Sequence, residues 1–431
     1  MLTPEQNARL TQVGPGTPCG ALMRRYWHPI WMTAKLPAHG TTPIRLLGED
    51  LVLYRDRSGQ LGLVANRCPH RGAGMVFAVP EEKGIRCAYH GWLYDETGRC
   101  LEQPYERLLD PDSVFKDKIR IKAYPVEELG GLIFAYLGPE PAPLLPRWDV
   151  FVQENVVREI GWIVIPCNWY QIIENDGDSA HVPSLHHHFN NYALEQLGRP
   201  DLQRPERPLT SSTAVSEKTW FGRQRLRSVD GKQIPYTATI FPYMIKLPGG
   251  TLQMPVPMDD THVFNIYYFT YDPVELKNEL ELDWEPQTDP RDIPIFEVPL
   301  AGSPGGAPDW PLLDNAGAQD AAILSSQGAI ADRTNEHLGL SDSGVIWYRQ
   351  LVEEQIQIVE EGGDPVGTFR DPTTNEYLEV PTGQRGVVGW RFRNADGVIL
   401  HNLSRKYSPV FRAAVVKIHG EAALDEPVRP T

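Results

Sequence analysis

Cys68-Pro69-His70-Arg71-Gly72 and, with sixteen residues between His70 and the next cysteine, Cys87-Ala88-Tyr89-His90-Gly91-Trp92 decide how the first third of the chain is read. Each segment offers one thiolate and one imidazole from a glycine-bearing turn. Two sulfur and two nitrogen donors split in this way suit a [2Fe–2S] centre with Cys68 and Cys87 on one iron and His70 and His90 on the other. Neutral imidazoles in place of thiolates lower the negative charge of such a centre and raise its potential. The glycines let backbone N–H groups approach the sulfides, because no Cβ intervenes. A Cys₂His₂ zinc site is the competing reading, although zinc fingers usually take one ligand type from each loop. Cys19, Cys100 and Cys167 have no histidine beside them and read as small buried hydrophobes.

Around these loops, short apolar and β-branched runs at 26–32, 42–45, 51–55, 61–65, 119–124 and 132–137 predict a small β-sandwich or barrel. Residues 139–146 hold four prolines and read as a linker. The expected division is a cluster domain over 1–145 and a second domain over 146–431. In the second part, strands are expected at 152–164, 236–241 and 262–270. Helices are expected at 168–179, 314–338 and 343–361, the last with Asp342 as N-cap and a stop at Gly362-Gly363. Residues 286–311 carry seven prolines and read as a long irregular excursion. The pieces 389–393 and 413–418 are expected to close the sheet or pack on it.

A second constellation follows the linker: Asn168-Trp169, then Glu174-Asn175-Asp176-Gly177-Asp178-Ser179-Ala180-His181, and Pro183-Ser184-Leu185-His186-His187-His188. On a helix, Asn175, Asp178 and His181 share a face. His186 lies five residues beyond His181, about 140° round an unbroken helix. Pro183 interrupts the helix and lets the chain bring His186 back. Two histidines need one carboxylate to complete the facial triad of a mononuclear non-haem iron, which leaves positions open for O₂. Asp320 is the best distant candidate, with Asp314 and Asp332 as alternatives and His187 as the substitute for His186. Spacing alone does not select one among 56 acidic residues.

Composition narrows the function classes. At 431 residues the chain has room for two or three domains. Its net charge of −15 argues against nucleic acid as a partner. Five cysteines, an odd number in a long chain, argue against a disulfide scaffold. No apolar run is long enough for a membrane span, and the polar start does not resemble a secretion signal, so a cytoplasmic setting is expected.

The pattern C-x-H-x₁₆-C-x₂-H followed by Gly91-Trp92 resembles the Rieske domain of ring-hydroxylating oxygenases. The extra disulfide cysteines of respiratory Rieske proteins do not occur in it. E-N-x-x-D-x-x-H-x-x-x-x-H over 174–186 is similar to the catalytic α-subunits of Rieske non-haem iron oxygenases. Gly14-Pro15-Gly16-Thr17-Pro18, Arg24-Arg25-Tyr26-Trp27, Ser326-Gln327-Gly328, Asp332-Arg333 and Glu336-His337-Leu338-Gly339 resemble the α-only, phthalate-dioxygenase-like branch.

The resemblance implies an α+β chain: an all-β Rieske domain, then a catalytic domain whose antiparallel sheet wraps round helices in a helix-grip. It implies homotrimers or hexamers in which Asp178 links His90 or His70 of one chain to His181 of the next. Asn175 would orient a neighbouring group or water. It further implies a separate reductase with flavin and iron–sulfur groups delivering NAD(P)H electrons, O₂ as co-substrate, and hydroxylation or O-demethylation of an aromatic compound. An aromatic carboxylate would need a cation in the pocket, for which Arg207 and Lys246 are the candidates. Cis-dihydroxylation and aryl-ether demethylation both stay open. A Rieske electron carrier without oxygenase activity is the different-class alternative, and it would leave everything after about residue 140 unexplained.

Overall fold

The computed structural model describes residues 1–203, 215–229, 231–302, 306–313, 315–383 and 407–424. In the N-terminal part, Thr41–Leu46, Glu49–Arg55, Leu61–Ala65 and Ala123–Tyr124 form one antiparallel sheet. Only its last two residues survive of the strand expected at 119–124. A second small sheet runs Val79–Pro80, Ile85–Arg86, Leu93–Tyr94 and Cys100–Glu102. Val52, Tyr54, Val64, Met75, Ile85 and Tyr94 fill the core between them, and Cys68 and Cys87 lie in the same core. Trp27–Met32 pairs with Leu132–Tyr136. That pair contributes to the core of the large sheet rather than to that of the cluster loops.

Among the described residues the large sheet has eight strands. Edge to edge they are Val215–Thr219, Gly222–Val229, Lys232–Ile240, Met244–Leu247, Thr251–Pro257, Val263–Tyr271, Val157–Ile165 and Ile295–Glu297. All neighbours are antiparallel except the last, which lies parallel to Val157–Ile165. It falls inside the proline-rich stretch that reads as irregular, because three residues between prolines suffice for an edge strand. The strand expected from 152 starts at Val157, after a helical turn at Asp149–Val152.

Register determines what this sheet presents. Arg223 lies opposite Thr239, Thr239 opposite Ile245, Ile245 opposite Gln253, and Gln253 opposite Tyr267. Directly opposed residues share a face, so this row forms one side of the sheet. Lys246, the next residue after Ile245, points to the other side.

The helix Trp169–Gly177 lies on the Thr239 side. Asn168 starts it: its side-chain oxygen accepts from Tyr170 N–H at 3.0 Å, while its amide donates to the carbonyls of Thr11 and Asp260. Glu174 anchors it through Arg333 (2.6 Å) and Arg349 (2.7 Å), both buried. Its end abuts the helix Ser343–Glu360 so closely that a Cβ on Gly344 would sit 2.1 Å from the carbonyl oxygen of Gly177.

The expected helix 314–338 is Ala316–Ser326 only. It stops at Gly328, whose φ is +95° and whose carbonyl accepts from Gln171 at 3.2 Å. Asp342 does not bond to the helix it was expected to cap, and its carboxylate instead accepts from Gly339 N–H. Residues 413–418 belong to a helix, Pro409–His419, capped by Ser408, and do not extend the sheet. The piece 389–393 lies outside the described residues. Among the described residues, no helix is long and apolar enough to cross a membrane.

Candidate functional site

The two cluster loops are the same turn built twice. The carbonyl of Cys68 accepts from Gly72 N–H at 2.8 Å, and its N–H donates to Ala73 at 2.9 Å. The carbonyl of Cys87 accepts from Gly91 N–H at 3.0 Å, and its N–H donates to Trp92 at 2.9 Å. Gly72 and Gly91 adopt φ of +72° and +73°, where glycine carries no steric penalty. Both cysteines are buried, and the His70 and His90 rings meet edge to face at 4.4 Å. Trp92 stacks on His70 at 4.3 Å and holds its plane. Nδ1 of His70 is buried without a hydrogen-bond partner, as a metal-facing nitrogen would be. Burial and the neighbouring Cys68 push the Cys87 thiol up, against backbone N–H groups that pull it down, which suits two sulfurs aimed at one place.

These four residues do not close on a single point. Among the described residues, the one set of three or more His, Cys, Asp or Glu donors within 4.8 Å of one another is His181, His186 and Asp320. A lone zinc needs its donors round one ion, so the spread quartet fits a two-iron cluster better. Tyr94, fully buried, places its hydroxyl 3.3 Å from Cys68 Sγ, a contact with a cluster sulfur that residue spacing did not reveal.

The second set is assembled from two distant segments. The helix Trp169–Gly177 ends, Asp178 turns the chain, and a short helix begins at His181. The following stretch Ser184–Phe189 is π-wound. Pro183 does not break the chain as expected. The wider winding, with bonds from i to i+5, brings residues five apart towards one face. Asp320 arrives from the helix Ala316–Ser326, which Gln171 ties to the first helix by donating to Leu324 O at 2.8 Å. Asp320 Oδ1 then lies 3.2 Å from His186 Nε2 and 4.0 Å from His181 Nε2. It has no hydrogen-bond donor although it is buried. Two imidazole nitrogens and an unsatisfied carboxylate oxygen around one space could hold a divalent metal with open positions.

Asp178 stands behind His181. Its carboxylate accepts from Ala180 N–H at 2.6 Å and His181 N–H at 3.2 Å, with Oδ2 3.7 Å from His181 Nδ1. Burial pushes its carboxyl up, but these N–H groups and the His181 ring outweigh that and hold it below the usual carboxylate range. Asn175 lies one turn earlier, and its carbonyl accepts from Asp178 N–H at 3.2 Å. His187 is not in the metal set, and Asp332 is an exposed turn residue bonded to Thr334 and Asn335. Asp314 lies outside the described residues.

Of the two expected substrate cations, Arg207 lies outside the described residues. Lys246 is excluded from the pocket: buried on the far face of the sheet, its Nζ is held by Asp149 at 2.5 Å and Val380 O at 2.7 Å. The near face carries two arginines that sequence reading missed. Arg223 pairs with Asp176 at 3.4 Å, is 1% exposed, and leaves Nε and Nη1 without partners. Among the described residues, half-buried Arg225 bonds to Ser179 Oγ (2.9 Å) and Asp176 O (3.4 Å). Burial pulls its guanidinium down. Tyr267, in the same sheet row, lies near enough to the triad that Asp320 adds to burial in pushing its phenol up.

A Rieske [2Fe-2S] domain model matches residues 26–124, and a "LigXa C-terminal domain like" model matches 309–392. The chain is 38% identical to the 5,5'-dehydrodivanillate O-demethylase oxygenase subunit of Sphingobium sp., over 90% of this chain and 88% of that protein. It is 30% identical to the phthalate 4,5-dioxygenase oxygenase subunit of Pseudomonas putida, over 85% and 89% of the two chains. NdmA of Pseudomonas putida CBB5, solved with caffeine, superposes with a TM-score of 0.57 at 18% identity, over 81% and 95% of the two chains, and so shares the fold.

Proposed function

This chain belongs to the oxygenase subunits of the Rieske oxygenase family, oxidoreductases of mono- and dioxygenase type, and from that premise we propose that it O-demethylates or hydroxylates an aromatic acid beside the His181–His186–Asp320 centre. The observation that carries the reading is the convergence of two histidines and one unsatisfied carboxylate, with two guanidiniums, Arg223 and Arg225, on one face of the large sheet. A Rieske cluster held by Cys68, Cys87, His70 and His90 and a mononuclear iron supply electron delivery and O₂ activation when bound. The electrons come from NAD(P)H through a separate flavin- and iron–sulfur-containing reductase.

The chain's own residues bind, orient and shield. Asp178 lies 3.7 Å from His181 Nδ1 and stays charged at neutral pH, so it can face an imidazole of a second subunit's cluster. Exposed Tyr89, Tyr105, Leu108 and Leu109 surround the cluster loops, with Pro104 packed against Gly91, and offer an apolar seat for that subunit. This supports a head-to-tail homotrimer, alone or stacked as a hexamer. Tyr267 and Gln253, paired on one face of the sheet, are offered as the floor for the substrate. Arg225, backed by Arg223, takes the substrate carboxylate as a two-pronged donor.

O-demethylation is favoured over ring dihydroxylation by the greater identity to the O-demethylase subunit. Reconstituted with a reductase and NADH, the protein is expected to release formaldehyde in proportion to O₂ consumed from a methoxylated aromatic acid. A cis-diol without formaldehyde would sink that choice. Arg225→Gln is expected to weaken binding of the acid by about 2 kcal/mol, roughly 30-fold. Its effect on the methyl ester should be at least tenfold smaller. Equal losses for acid and ester would remove Arg225 from the substrate site.

A further inference from the structure

The two ring nitrogens of His186 face consecutive residues of one helix. Nε2 faces Asp320 at 3.2 Å, and Nδ1 lies 3.0 Å from Gln319 Oε1. Gln319 is 1% exposed. Its amide nitrogen donates to Asn190 Oδ1 at 2.7 Å and to Leu313 O at 3.0 Å. Leu313 O can only accept, so the amide cannot be turned over without placing two oxygens face to face. The oxygen of Gln319 is therefore the atom offered to His186, and Nδ1 must carry the proton. A neutral imidazole protonated there has a bare Nε2.

We propose that Gln319 is a positioning residue of the metal centre, fixing the tautomer and plane of His186 so that Nε2 is presented as a ligand. The inference rests on the metal-centre reading above. It also draws a contrast: His181 is backed by a carboxylate, Asp178, and His186 by a neutral amide. The two imidazoles thus have different groups behind them although Nε2 of each faces Asp320.

The experiment uses the cluster-loaded enzyme with its mononuclear metal stripped, titrated with Co(II) and followed by the ligand-field absorption of the bound ion. Gln319→Met keeps length and volume but offers no comparable acceptor, and should weaken Co(II) by about 10- to 100-fold and alter its spectrum. Gln319→Glu restores an acceptor towards Nδ1 but cannot donate to Asn190 and Leu313. It should recover most of the affinity, to within about threefold of wild type. If Gln319 only braced Asn190 and Leu313, Glu would fail as Met does, and the proposal is overturned. It is likewise overturned if Gln319→Met binds Co(II) as tightly as wild type. Should the methionine variant not fold, the glutamate variant alone decides between the same two outcomes. Wild type binding no Co(II) beyond the cluster would instead bring down the metal-centre reading itself.

Discussion

Replacing Asp320 by alanine is expected to abolish turnover and to lower the iron content from about three to about two per chain, with the visible spectrum of the cluster unchanged. Asp320 supplies the single anionic donor among three residues whose donor atoms lie within 4.8 Å. Without it two neutral imidazoles remain, too little charge to retain a divalent ion against dialysis. The fold should survive, because the Asp320 helix is held by the Asn315 cap, by Gln319 and by Gln171 rather than by the carboxylate itself. Asp332→Ala is the matched control: its carboxylate bonds only within an exposed turn, and iron should be retained in full. Loss of the cluster spectrum in Asp320→Ala, with the third iron intact, would mean that the two centres have been interchanged.

Asp178→Asn is expected to separate metal binding from turnover. The amide oxygen of asparagine can still accept from Ala180 and His181 N–H, so the turn between the two helices should persist. What disappears is the negative charge beside His181 Nδ1. Iron and cluster should both be present at wild-type levels, while turnover falls about 100-fold. In a single-turnover experiment with the cluster reduced beforehand, reoxidation of the cluster should slow by a similar factor. If turnover falls only because iron is lost, Asp178 is a brace for His181 and has no part in communication between the centres.

These expectations differ in how far they could be read without coordinates. The Cys68–His70 and Cys87–His90 pairs are local, so spacing and ligand chemistry alone drew attention to them. His181 stands out for the same reason, three residues after Asp178, although Asp178 proves to be the turn between two helices rather than part of one helix face. Asp320 is another matter: its helix is brought to the histidines by contacts such as Gln171 to Leu324 and Gln319 to Asn190, and long-range pairing of that kind leaves no trace in spacing. The sequence offered it only as one carboxylate beside Asp314 and Asp332. The pocket cation went wrong because the phase of a strand was unknown. Lys246 and Ile245 differ by one residue and hence by a whole sheet face. Arg223 and Arg225 became visible only once their register with Thr239 and Thr237 was set. Helix ends misjudged at 314–338 reflect local signals overridden by contacts, since the Gly328 carbonyl accepts from a distant glutamine; of the two outcomes expected for 413–418, closing the sheet or packing on it, the second holds, as a helix capped by Ser408.

The π-wound stretch after Pro183 has a consequence for chain length. A π turn is an α-helix that has absorbed one extra residue without pushing it out as a loop. Five residues of separation here therefore do the geometric work of four on an ordinary helix, the spacing at which paired histidines on one helix face hold a metal. Removing Leu185 would shorten the interval to four and allow regular winding while keeping two imidazoles side by side. Removing a residue beyond His186 would relieve the same winding but swing the second imidazole away. Insertions and deletions in this segment are thus not equivalent: only those on one side of His186 can be traded against helical pitch.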